Sequence, residues 1–161
     1  IGSLLLLTVG FGWAKPMPVN PYALNRQSPA AMMLVSLAGP ASNFFLALLA
    51  AIPLRLGLVS LTQTSLFGRN LIPTPGYLLV EFIFINLVLM LFNLIPLAPL
   101  DGDKILDYFL PASLSRSLDR IRPYGPIILI AVVFVGPYLG VNILRYILWL
   151  PSQAMFDFLV G

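Results

Sequence analysis

An aspartate closes the run Asn93-Leu94-Ile95-Pro96-Leu97-Ala98-Pro99-Leu100-Asp101-Gly102, at the end of an apolar stretch of membrane-spanning length. A carboxylate at membrane depth costs on the order of several kcal/mol unless it is paired, solvated in a cavity or bound to metal, which marks Asp101 as a candidate functional group. Two chemistries are open to it. Pro96 and Pro99 remove two backbone N–H groups and unwind the segment, which allows Asp101 to turn toward a cavity as a metal ligand or catalytic group. Gly102 would then let backbone approach a metal or substrate closely. Alternatively, Asp101 is an N-cap that ends the span and starts a helix from Gly102 to Leu110 at the water boundary.

Three other groupings carry possible chemistry. Asn43, within Ala38-Gly39-Pro40-Ala41-Ser42-Asn43, is an amide in an uncharged interval. It serves either as interhelical glue that repairs backbone freed by Pro40, or as a donor that positions a substrate or stabilises an oxyanion. Asp103 and Asp107 share one face of a prospective helix, but Lys104 and the missing calcium-loop pattern favour a solvated polar face over a divalent-ion site. Gly12-Trp13-Ala14-Lys15-Pro16-Met17-Pro18-Val19-Asn20-Pro21 is rigid and interfacial; it is a plain loop, favoured by composition, or an open edge for an extended substrate.

The composition says what must position these groups. Of 161 residues, 59% are hydrophobic and 9% charged, and the mean hydropathy is +0.95; a soluble domain carries about 25% charged residues. The expectation is an all-α polytopic membrane protein with three to four transmembrane helices and a Pro-rich interfacial or re-entrant loop near the N-terminus, forming a single domain over residues 1–161. The net charge of +3 is spread thinly between apolar blocks, so nucleic acid is excluded as a partner and the lipid bilayer is expected. With no cysteine and no histidine, the chain can supply neither thiolate nor imidazole to a metal, and neither a disulfide nor a Cys nucleophile.

The spans follow from the intervals between charges. One helix is expected around Ala30 to Leu54, between Arg26 and Arg55. A polar loop follows over 56–75. A second span is bounded by Glu81 and Asp101, from Phe82 to Leu100. Residues 103–123 read as an amphipathic helix on the membrane surface, with Leu114, Leu118 and Ile121 on one stripe. A third span follows Pro123 and closes before Arg145, with a kink at Gly136-Pro137. Residues 146–161 form a further short or interfacial helix. Lys104, Arg116, Arg120 and Arg122, together with Lys15 and Arg26, place the loops that hold them in the cytosol, and Asp101 toward the cytosolic side.

Three segments in fixed order, Gly12-Trp13-Ala14-Lys15-Pro16-x-Pro18-Val19-Asn20-Pro21, Ala38-Gly39-Pro40-x-x-Asn43 and Asn93-x-x-Pro96-x-x-x-Leu100-Asp101-Gly102, resemble the bacterial and archaeal branch of the site-2 protease family, peptidase family M50, the intramembrane zinc metalloproteases. The resemblance covers residues 1 to about 110. It implies an integral protein of a bacterial or archaeal cell membrane that hydrolyses peptide bonds in or near transmembrane segments of substrate proteins. In that family zinc is held by two histidines of a His-Glu-x-x-His helix and by the aspartate of Leu-Asp-Gly, while the glutamate activates the water bound to the metal. Carried over, Asp101 is the third Zn2+ ligand, Asn43 positions the scissile peptide or its oxyanion, Asn93 and Pro96 shape the unwound backbone leading to Asp101, and Gly39, Pro40 and Gly102 support the motifs. Trp13, Pro16, Pro18, Asn20 and Pro21 would hold the substrate extended.

The chain departs from the pattern in three ways. It has no His-Glu-x-x-His, Ala98 stands where proline is common, and Asp103 stands where glycine is common. Its start at Ile1, inside an apolar run, reads as an N-terminally truncated piece whose missing segment carries the histidines. The piece alone is expected to be inactive, with one ligand and no general base. The alternative is a noncatalytic pseudoprotease or scaffold that binds membrane clients without cutting them. A small transporter is disfavoured, because there is no inverted repeat and no second carboxylate within a span.

Overall fold

The computed structural model describes residues 28, 30–59, 74–140 and 142–161, and every regular element among them is helical. The substrate-loop residues Trp13, Pro16, Pro18, Asn20 and Pro21 lie outside the described residues. In chain order the elements are α1 (Ala31–Arg55), α2 (Pro75–Asn93), α3 (Asp101–Phe109) and α4 (Ala112–Ile121). A 3-10 turn (Arg122–Tyr124), α5 (Gly125–Ile130), a π-helical segment (Ala131–Val135) and α6 (Gly136–Tyr138) continue α4. A second π segment (Arg145–Trp149) runs into α7 (Leu150–Val160). Three helical runs, Ala31–Arg55, Pro75–Asn93 and Ala112–Tyr138, are long and apolar enough to cross a membrane, and the chain is an all-α polytopic membrane protein.

Local chemistry sets the ends of these helices. After Arg55 the chain turns at Gly57, whose φ of 67° is left-handed; Leu58 donates to Pro53 O and Gly57 to Leu54 O, both at 3.0 Å. These two bonds satisfy the last carbonyls of α1 in the pattern that a left-handed glycine permits. The second helix starts at Thr74, whose Oγ1 accepts from the N–H of Tyr77 at 3.3 Å, with Pro75 in the first turn. The second span is therefore Pro75–Asn93 rather than Phe82–Leu100. Glu81 sits exposed on the helix surface and does not bound it.

The third run likewise begins before Pro123. Pro123 falls in the opening turn of a 3-10 segment, where its missing N–H costs little. Both π segments lie just upstream of a proline. Pro137 has no N–H to return to Val133, and Pro151 none for Ile147, so the helix widens over Ala131–Val135 and Arg145–Trp149. The kink expected at Gly136-Pro137 takes this form.

α1 and α2 pack along each other, and α7 packs against both. Ala47 and Ala51 of α1, one turn apart, meet Ile83 and Leu87 of α2, and Leu54 and Leu159 complete the cluster. The two alanines let the backbones approach, which in lipid favours association through packing rather than through removal of apolar surface from water. Phe45, Leu49 and Ile52 face outward, as lipid permits. Arg55 Nη1 donates to Phe158 O at 3.4 Å and ties the end of α1 to the end of α7.

Candidate functional site

The candidate site sits where the second span stops. Asn93 is the last residue of α2, and Leu94–Leu100 is non-helical. Short turns hold this connection: Ile95 N–H bonds to Phe92 O at 3.2 Å, Leu97 to Ile95 O at 2.8 Å and Leu100 to Leu97 O at 2.9 Å. Pro96 is exposed on this turn. The expected unwinding before Asp101 is therefore present.

Asp101 is the first residue of α3. The N-cap is Leu100, in extended conformation, and no side chain caps the helix, so Asp101 does not act as the N-cap. Its carboxylate instead sits in the first turn beside Asp103, where the helix dipole favours negative charge. Asp101 Oδ1 lies 3.5 Å from Lys104 Nζ, one turn on, and the Asp101 side chain is 32% exposed. Its other oxygen faces α1: a Cβ built on Gly39 would stand 3.2 Å from Asp101 Oδ2. Two motif segments remote in sequence thus meet, one at a glycine and the other at a carboxylate.

Pro40 is fully buried beside this contact. Asn43 lies one turn beyond Gly39 on the same face of α1, about 6 Å along the axis. It is half-buried and makes no hydrogen bond to another described residue. Asn86, a buried amide of α2, is satisfied within its own helix, donating to Phe82 O at 2.8 Å.

Gly102 has a role different from the one expected. A Cβ there would collide with the carbonyl oxygens of Leu94 and Ile95, so it is the chain's own turn, rather than a metal or substrate, that requires the glycine. Gly125, at the start of α5, meets the carbonyl of Ala98 in the same way. The loop before Asp101 is thereby pressed between α3 and the third run.

Asp103 and Asp107 are neither a solvated face nor a divalent-ion site. Asp103 is 5% exposed, and Arg122 Nε donates to its Oδ1 at 3.1 Å and its Oδ2 at 2.9 Å. Arg122 Nη2 lies 3.0 Å from Asp107 Oδ2, and Nη1 pairs with Asp119. Ser115 donates to the other oxygen of Asp107. Burial pushes the Asp107 carboxyl up, but the Ser115 hydroxyl and the Arg122 guanidinium outweigh it, leaving the group below its ordinary value. Sequence spacing did not single out Arg122, because Arg116 and Arg120 lie in the same stretch and nothing in the sequence marks which arginine faces Asp103 and Asp107.

Among the described residues no group of three or more His, Cys, Asp or Glu is placed to hold a metal. Asp101 fits the part of a single oxygen ligand, being partly open and paired only with an exposed lysine that a metal ion would displace. Two apolar cavities lie away from Asp101: about 520 Å³ beside Val88, Arg145 and Trp149, and about 310 Å³ beside Phe44, Met155 and Phe158.

The family model described as "Peptidase family M50" matches residues 56–136. The chain is 38% identical over 152 residues to the Bacillus subtilis (strain 168) protein named "Putative zinc metalloprotease YwhC", an alignment covering 92% of this chain and 63% of that relative. The chain thus spans less than two thirds of the length of this curated relative. No solved structure matches.

Proposed function

The chain belongs to peptidase family M50, and from that premise we propose that it forms part of an intramembrane zinc metalloprotease that hydrolyses peptide bonds in or near the transmembrane segments of substrate proteins. The observation that carries this reading is the Asp101 carboxylate at the broken end of an apolar helix, held against Gly39 of α1. Asp101 would be the zinc ligand supplied by these residues, and the remaining ligands and the general base would come from other residues of the full-length protein. When bound, the metal polarises the scissile carbonyl and lowers the pKa of water. Asn43, one turn from Gly39 and without a described partner, is left to orient the scissile peptide or donate to its oxyanion.

A transmembrane helix must unwind before its backbone can be cut. Trp13, Pro16, Pro18, Asn20 and Pro21 are proposed to hold the opened segment extended. Lys104, Arg116, Arg120 and Arg122 favour a cytosolic location for the Asp101 end, in the cell membrane of a bacterium or archaeon.

The test is Asp101→Ala in the full-length protein in nanodiscs, with bound zinc and cleavage of a transmembrane peptide measured side by side. The expected result is a loss of zinc affinity and of turnover together. Unchanged zinc content would remove Asp101 from the metal site. A wild-type protein that holds a membrane client without zinc or cleavage would establish a scaffold instead.

A further inference from the structure

We infer that Arg122 is a positioning residue for the metal-ligand helix, fixing the angle at which α3 presents Asp101; the inference rests on the protease reading above for its functional consequence, though not for its geometry. Asp101 is exposed on one side and its nearest cation, Lys104, belongs to the same short helix. Nothing in that pair fixes α3 relative to the rest of the protein. Arg122 does so from the mouth of the third apolar run. Its Nε reaches both oxygens of Asp103, at 3.1 and 2.9 Å, two residues beyond Asp101. Its Nη2 reaches Asp107, one turn further along α3, at 3.0 Å.

Two anchor points on one helix fix its direction, in addition to the packing of α3 against α1. The third nitrogen pairs with Asp119, one turn back in the helical run that Arg122 itself continues, a contact that adds nothing between that run and α3, so the two nitrogens on Asp103 and Asp107 carry the joint. Lysine, with one point charge, cannot reproduce that arrangement. Asp103 is 5% exposed and the Arg122 side chain 27%, so the pair is partly shielded from the screening that weakens surface ion pairs. Three residues beyond Arg122, Gly125 brings the backbone onto the Ala98 carbonyl, which seats the loop before Asp101 against the same element. Partners behind a metal ligand set its orientation, and the arginine fills that role on the side of α3 away from Gly39 of α1, against which Asp101 Oδ2 lies.

The experiment uses the full-length protein in nanodiscs with four forms: wild type, Arg122→Ala, Arg122→Lys and Asp119→Asn. Three quantities are read: zinc retention against a chelator, kcat and KM on a transmembrane peptide, and amide hydrogen exchange over residues 101–109. Arg122→Ala is expected to weaken zinc binding by about 10- to 100-fold. It should lower kcat with KM changed by less than about twofold, and speed exchange in α3 by about tenfold or more. Arg122→Lys should recover only a small part of each, and Asp119→Asn, which removes a contact within α4 and none to α3, should leave all three near wild type.

Unchanged exchange in Arg122→Ala overturns the inference, as does equal damage from Asp119→Asn. The two readings also fail separately. A wild-type protein that binds no zinc and cuts nothing sinks the protease reading, while faster exchange in Arg122→Ala alone would still establish the clamp. Wild-type zinc retention in an Arg122→Ala protein whose α3 has loosened would show that the clamp does not serve the metal.

Discussion

Gly102 has room for a hydrogen and for nothing larger, because the carbonyl oxygens of Leu94 and Ile95 occupy the space of a side chain. Backbone on that turn cannot retreat, since the hydrogen bonds among Phe92, Ile95, Leu97 and Leu100 fix it. Gly102→Ala is therefore expected to destabilise the protein by about 1–3 kcal/mol, as overpacking does, and to shift Asp101, its neighbour in sequence. Thermal unfolding in detergent measures the first effect; an unchanged midpoint would mean that the turn is softer than its hydrogen bonds indicate. The Asn-x-x-Pro to Asp-Gly spacing made Gly102 legible as a position of close approach. It did not say what approaches, because a glycine in a sequence carries no record of which backbone its missing Cβ accommodates. The same holds for Gly39, whose partner is a carboxylate far along the chain.

Between elements, charge joins what apolar packing does not. α3 and α4 meet through Arg122, Asp103, Asp107 and Ser115, and this joint carries a pH dependence whose sign is fixed. The folded-state pKa of Asp107 is depressed, with burial opposing the shift and the Ser115 and Arg122 contacts outweighing it. Its stabilisation is therefore present above the unfolded carboxylate value of about 4 and is lost as pH falls through the lower folded value. Thermal unfolding between pH 6 and 3 should show this loss in the wild type and a flatter profile in Asp107→Asn; parallel profiles would count against it. The helices themselves were largely legible, because uncharged intervals of spanning length leave few alternatives in a bilayer. Their ends were less so. Charge marked Glu81 as a boundary, whereas Thr74 and Pro75 supply the cap that starts the helix. The Arg122 joint escaped because its partners on α3, Asp103 and Asp107, lie 19 and 15 residues away, and periodicity within one helix does not report a pairing between two.

At the scale of the molecule, the donors are divided between what these residues hold and what they lack. A catalytic zinc site takes three protein ligands and keeps one position open. The chain has no histidine and no cysteine, and among the described residues no three carboxylates are placed to hold a metal. Asp103 and Asp107, the nearest other acids, are committed to Arg122, so they are not free to complete a site with Asp101. The 161-residue chain alone is accordingly expected to retain no stoichiometric zinc after dialysis and to leave a transmembrane peptide intact. The full-length protein should hold one zinc per chain. Elemental analysis of both, purified in the same detergent, checks this. Stoichiometric zinc on the short chain would require carboxylates to leave Arg122 for the metal, and would recast the clasp on α3 as a rival of the metal site rather than its support.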